Sequence, residues 1–154
     1  STVWFAEKCR SLISIEDDTT WYYKLSSKLL TRGISNVDYR FCKSSKSETV
    51  SNSEYVKVLR DYGDFHFDFI LVDGSHRDYV ALNCLSKIKL GGIVIVDNAN
   101  WFIPHQTISP TSIGENNLPF NKTWDEFHLK VAKWRQIWTT NGVTDTAIYV
   151  KPNI

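Results

Sequence analysis

The 154-residue sequence lacks an apolar run approaching the ~20 residues that cross a bilayer as a helix. Its N-terminus lacks the charged, apolar and small-residue order of a secretory signal. No membrane partner is expected, and the default compartment is the cytoplasm. The sequence also lacks an excess of one charge: 18 Lys plus Arg stand against 17 Asp plus Glu, for a net charge of +1. That balance supplies no broad field for nucleic acid and fits a small or neutral partner better. Cysteines are few: Cys9, Cys42 and Cys84 are odd in number and widely spaced. They fit neither a disulfide framework nor a zinc knuckle, and read as packed, reduced thiols. There is no internal repeat and no low-complexity tract. A chain of this length fits one domain over 1–154, and its oligomeric state is not legible.

Four β-prone runs are present instead. Ser11 to Glu16 (SLISIE), Val37 to Cys42 (VDYRFC), Phe67 to Asp73 (FDFILVD) and Gly92 to Asp97 (GIVIVD) have strand length and composition. The last two are nearly continuous apolar runs, as expected of parallel strands covered on both faces. Lys43 to Ser53 reads as a polar surface loop. Between the runs, Trp21, Leu25 and Leu29 recur at helical spacing after Asp18 and before Gly33. Ser75 with Asp78 suggests a capping box, and Tyr79, Leu82, Leu85 and Ile88 continue an apolar stripe to Gly91-Gly92. Thr123 with Glu126 suggests another capping box, opening a helix from about Trp124 to Lys133. The sequon Asn121-Lys122-Thr123 is a three-letter pattern of little weight. Trp134 to Thr140 and Thr144 to Lys151 flank Asn141-Gly142, predicting an antiparallel hairpin.

Strand and helix alternate in this order as in an open α/β sheet, where ligands lie beyond the carboxyl ends of the strands. Glu16, Asp73 and Asp97 each close a predicted strand. Asp73, Asp97 and the adjacent Asn98 form an all-oxygen set suited to a hard divalent cation such as magnesium. The same acids serve equally as acceptors of backbone or cofactor hydrogen bonds. His76 follows Asp73 by three residues and suits a general base, although a loop histidine is often only a surface residue. The long segment from Ala99 to Lys122 carries Trp101, Phe102, Pro104, His105 and Phe120, and reads either as a lid over a site or as aromatic packing.

The succession Ser1-Thr2-Val3-Trp4, SLISIE, FDFILVDGSH and GGIVIVDN resembles class I S-adenosylmethionine-dependent methyltransferases, with the greatest likeness to the small-molecule, catechol O-methyltransferase-like branch. The resemblance implies a Rossmann-like, open and mostly parallel sheet with helices on both faces and a terminal hairpin. It implies S-adenosylmethionine as cofactor, with Glu16 on the ribose hydroxyls and Ser1, Thr2, Asp17 and Asp73 also at the cofactor. It implies a small-molecule acceptor, methylated on a hydroxyl oxygen near Asp73 and His76, with a divalent cation on Asp73, Asp97 and Asn98. It further places a first strand and a Gly-x-Gly loop before Ser1, so the sequence is expected to be N-terminally truncated. Two rival readings are a dinucleotide-dependent oxidoreductase, which also uses an acid after its second strand, and a methyltransferase-like module that binds without catalysis.

Overall fold

The computed structural model describes residues 1–43 and 53–153. The polar loop expected at Lys43 to Ser53 therefore lies almost wholly outside the described residues. The chain divides into two compact units, Ser1–Lys57 and Val58–Ile154.

In the first unit, α1 (Thr2–Ala6) precedes β1 (Leu12–Glu16), α2 (Thr19–Thr31), β2 (Val37–Phe41) and the single turn α3 (Glu54–Lys57). Thr2–Ala6 is thus a short helix rather than a strand. β1 and β2 pair in parallel from Leu12 opposite Val37 to Glu16 opposite Phe41. A parallel pair needs a crossover, and α2 supplies it. Asp18 starts α2 by accepting the Trp21 N–H at 2.8 Å, satisfying one of the free donors of a helix N-terminus. Gly33, at φ +64°, ends it, while the Ile34 N–H returns to the Leu29 carbonyl. The inward face keeps Leu25 and Leu29 of the expected stripe but takes Tyr22 in place of Trp21. Trp21 remains 57% exposed and Leu29 is buried, while Tyr22 stacks on Tyr39 with centroids 4.8 Å apart.

The second unit contains β3 (Phe67–Val72), α4 (Arg77–Cys84), β4 (Ile88–Asp97), α5 (Lys122–Val131), β5 (Arg135–Thr140) and β6 (Asp145–Val150), with 3-10 turns at Val58–Asp61 and Ala99–Trp101. Its sheet has the order β3-β4-β6-β5. β3 and β4 are parallel, and both pairings of β6 are antiparallel. The single sheet implied by the sequence thus forms as two hydrogen-bonded sheets, each with a parallel strand pair, and the expected hairpin closes the second. Val94, Val96, Trp124, Phe127 and Tyr149 are fully buried in its core. Phe127 meets both Trp124 and Tyr149 edge-on.

Three expectations are corrected here. The stripe through Ile88 is not all helix, because α4 ends at Cys84 and Ile88 already pairs with Phe67. The strand therefore begins before Gly91-Gly92 and passes through them. A Cβ on Gly92 would come within 2.8 Å of the Asp68 carbonyl oxygen, so glycine permits a close approach there. The Thr123–Glu126 capping box does not form. His76, in a left-handed conformation, precedes α4 without a side-chain cap, and Asp78 accepts its neighbour's N–H from Tyr79. Asn121 rather than Thr123 caps α5, accepting the Trp124 N–H at 2.9 Å. In the hairpin, only Gly142 of the Asn-Gly pair has positive φ. The connection is longer than a two-residue turn, with the Asn141 side chain accepting the Val143 and Thr144 N–H groups.

Among the described residues no cysteine is in a disulfide, and Cys42 and Cys84 are buried. Burial pushes the Cys84 thiol up to about 12. Among the described residues, no helix is long and apolar enough to cross a membrane.

Candidate active site

In the first unit, Glu16 ends β1 and its Oε1 accepts the N–H groups of Asp17 and Asp18 at 3.0 and 2.9 Å. These bonds fix the carboxylate. Among the described residues, none donates to Oε2, leaving an acceptor suited to hydroxyl donors. The chemistry of this group therefore fits a ribose. Asp17 contributes its backbone to that turn, and Asp18 spends its side chain on the α2 cap. Thr2 shares a hydrogen bond with Ser14 at 2.9 Å. Ser1 precedes α1 and makes no side-chain cap.

In the second unit, the register sets Val72 opposite Val96, so the next residue after β3, Asp73, meets the last residue of β4, Asp97. Both acids expected at this edge are brought together. Burial raises the Asp73 carboxyl above its ordinary range, followed by the negative charge of Asp97 and a hydrogen bond with its carboxyl. Asp73 retains 42% side-chain exposure, so water screens part of this effect. Asp97 also accepts the Thr146 hydroxyl at 2.8 Å.

Asn98 does not join these acids as a free ligand. Its Oδ1 accepts Arg77 Nη1 at 2.6 Å. The same nitrogen donates to the Asp97 carbonyl at 3.0 Å, Nη2 to the Asp73 carbonyl at 2.9 Å, and Nε to the Gly74 carbonyl at 3.0 Å. Arg77 Nη2 also lies 3.4 Å from Asp73 Oδ1. Among the described residues, no group of three or more His, Cys, Asp or Glu is placed to hold a metal. With Asn98 Oδ1 already held by Arg77, the three oxygens expected for magnesium do not stand free together. Arg77 went unnoticed in the sequence. The only local signal was a basic residue four positions after Asp73, since its other partners lie across the sheet or are backbone groups.

His76, four residues past β3, and Asn98, directly after β4, adopt φ +51° and +52°. Such left-handed residues are uncommon outside glycine and concentrate at functional sites. His76 and Arg77 line a cleft of about 280 Å³ together with Gly74, Phe102, Phe120 and Trp124. Phe102 stacks on Trp124 with centroids 5.2 Å apart and meets Phe120 edge-on. Asn121, which also borders the cleft, donates to Asp78 at 2.9 Å. The segment expected as a lid thus supplies two rings of the cleft wall.

That segment is firmly anchored. Buried Asn100 accepts the Asp145 N–H at 3.0 Å and donates to Ser112. Buried Asp145 accepts the Ser109 hydroxyl and, at 2.8 Å, the Trp138 indole N–H. His105 stacks on Trp138 with centroids 3.9 Å apart. Burial opposes the charge on Asp145, but hydrogen bonds led by Ser109 and Thr107 overcome it and hold the carboxyl at about 2.

No protein-family model and no curated protein matches the chain. Solved structures do match. A candidate caffeoyl-CoA O-methyltransferase from Staphylococcus aureus superposes with a TM-score of 0.61 at 17% identity, over 97% of this chain and 69% of that one. A methyltransferase from Geobacter sulfurreducens gives 0.59 at 12% identity, over 97% and 64%. An O-methyltransferase family protein from Burkholderia thailandensis gives 0.54 at 8% identity, over 96% and 52%. The chain thus spans about two thirds of the Geobacter protein and about half of the Burkholderia protein. At these identities the likeness establishes architecture: the chain has the α/β, Rossmann-like fold of methyltransferases.

Proposed function

We propose that this chain takes part in transferring a methyl group from S-adenosylmethionine to a hydroxyl oxygen of a small acceptor. The observation that carries this reading is an aromatic-walled cleft beside His76, at the carboxyl end of β3, in a fold shared with solved methyltransferases. The names of those neighbours also favour methyl transfer over a dinucleotide-dependent oxidation. Glu16 is the residue for the cofactor ribose, because a fixed carboxylate with an open oxygen accepts hydroxyl donors strongly.

The cofactor, when bound, supplies an electrophilic methyl on a sulfonium sulfur. The protein's task is then to present an electron-rich oxygen and remove its proton. Phe102 and Phe120 hold a planar acceptor by apolar contact. His76 takes the hydroxyl proton as the oxygen–methyl bond forms and the methyl–sulfur bond of the cofactor breaks, its electron pair staying on sulfur. Arg77 acts on His76 indirectly, by fixing the turn from Asp73 to His76 through the Asp73 and Gly74 carbonyls.

The test is transfer of labelled methyl from S-adenosylmethionine to a panel of phenolic and aliphatic alcohols. Turnover is expected with at least one acceptor, and His76→Ala should lower kcat about 10²- to 10⁴-fold, the usual contribution of a general base. Turnover unchanged in His76→Ala removes the base assignment. Cofactor binding without transfer to any acceptor removes the catalytic reading.

A further inference from the structure

The edge formed by Asp73, Asp97 and Asn98 already contains a cation. A guanidinium has five N–H donors, and Arg77 directs them to five acceptors: the Gly74, Asp73 and Asp97 carbonyls, Asn98 Oδ1 and Asp73 Oδ1. Its side chain is only 19% exposed, so this arrangement is built into the fold. Asp97 contributes its carbonyl to Arg77 and one carboxylate oxygen to the Thr146 hydroxyl. A divalent ion on the same side chains would have to share Asn98 Oδ1 with Arg77 or displace it, and would sit beside a fixed positive charge.

We propose that Arg77 is the resident cation of this edge, joining the ends of β3 and β4 in place of a divalent metal and excluding one from Asp73, Asp97 and Asn98. It is a positioning residue: it also holds the left-handed turns at His76 and Asn98 from both sides. Lysine would not reproduce it, because a single ammonium cannot span both strand ends with a planar fork.

The inference is independent of the acceptor and the cofactor, so it is tested with manganese alone. Manganese(II) is titrated into the full chain and followed by electron paramagnetic resonance, with circular dichroism to verify folding. The wild type should bind no manganese at this edge at millimolar metal. Arg77→Gln, which removes the charge while keeping a polar side chain, should gain a site at least tenfold tighter than any wild-type binding. Adding Asp97→Asn should abolish that gain, and Arg77→Lys, which keeps the charge, should not acquire it. Two results overturn the proposal: wild-type binding that Asp97→Asn removes, or a folded Arg77→Gln that gains nothing. If Arg77→Gln does not fold, the wild-type and Asp97→Asn titrations decide by the first criterion. Failure of methyl transfer leaves this outcome unaffected, and the reverse also holds.

Discussion

Asp145 shows how a single buried carboxylate organises a long segment. It has no exposed surface and accepts hydrogen bonds from Ser109 and Trp138. Asp145→Ala would strand these donors. Each hydrogen bond to a charged group contributes about 1.5 to 3 kcal/mol, so denaturant unfolding should show a loss of roughly 3 kcal/mol. The pH dependence has a definite sign. Unfolded aspartate titrates near ~3.9, whereas the folded group titrates at about 2. Its stabilisation is therefore complete well above pH 4 and is lost as pH falls towards 2. Wild type should lose stability over that window more steeply than Asp145→Asn, and parallel curves would remove Asp145 from the account. At Glu16, Glu16→Ala should weaken S-adenosylmethionine binding roughly 10- to 100-fold, the equivalent of one or two charge-assisted bonds. Unchanged affinity in calorimetry would detach Glu16 from the ribose. The acids at strand ends were legible because each terminates a β-branched run. Asp145 and Arg77 were not, because their partners lie up to 45 and 21 residues away or are backbone carbonyls.

At the level of elements, the path through Gly91 and Gly92 carries the clearest prediction. Gly92→Ala sets a methyl 2.8 Å from the Asp68 carbonyl and 3.0 Å from Ile88 and the Lys89 carbonyl. Overpacking against backbone costs about 1 to 3 kcal/mol, and thermal unfolding should shift down accordingly. Gly33→Ala meets no such obstruction and is the comparison, its cost limited to the positive φ. An equal loss in both would show that conformation, not space, decides. This is also where the sequence misled. Leu85 and Ile88 continue the spacing of Tyr79 and Leu82, but pairing with β3 draws Ile88 into the strand. The capping box at Thr123 failed for a related reason. Asn121 lies two residues before Thr123 and offers a short side chain that accepts the Trp124 N–H while donating to Asp78. Strand identity and the hairpin were readable from local composition; helix boundaries depended on contacts made elsewhere.

For the whole molecule, the order of strands and helices along the chain specifies the α/β architecture. The later match to methyltransferase structures at 8 to 17% identity rests on that same order rather than on shared residues. Function needs more than architecture, since one fold serves many chemistries. Two local features narrow the choice: a strand-end carboxylate with an open oxygen, and a ring-lined cleft beside a left-handed histidine. The carboxyl edge instead carries its own guanidinium, which changes the mechanism expected from the sequence. We expect this chain to recognise S-adenosylmethionine. Calorimetric titration of the full chain with that cofactor tests it most directly. A saturable, one-to-one heat that S-adenosylhomocysteine competes away is the result the account predicts, and no heat up to millimolar cofactor with a folded protein would contradict it.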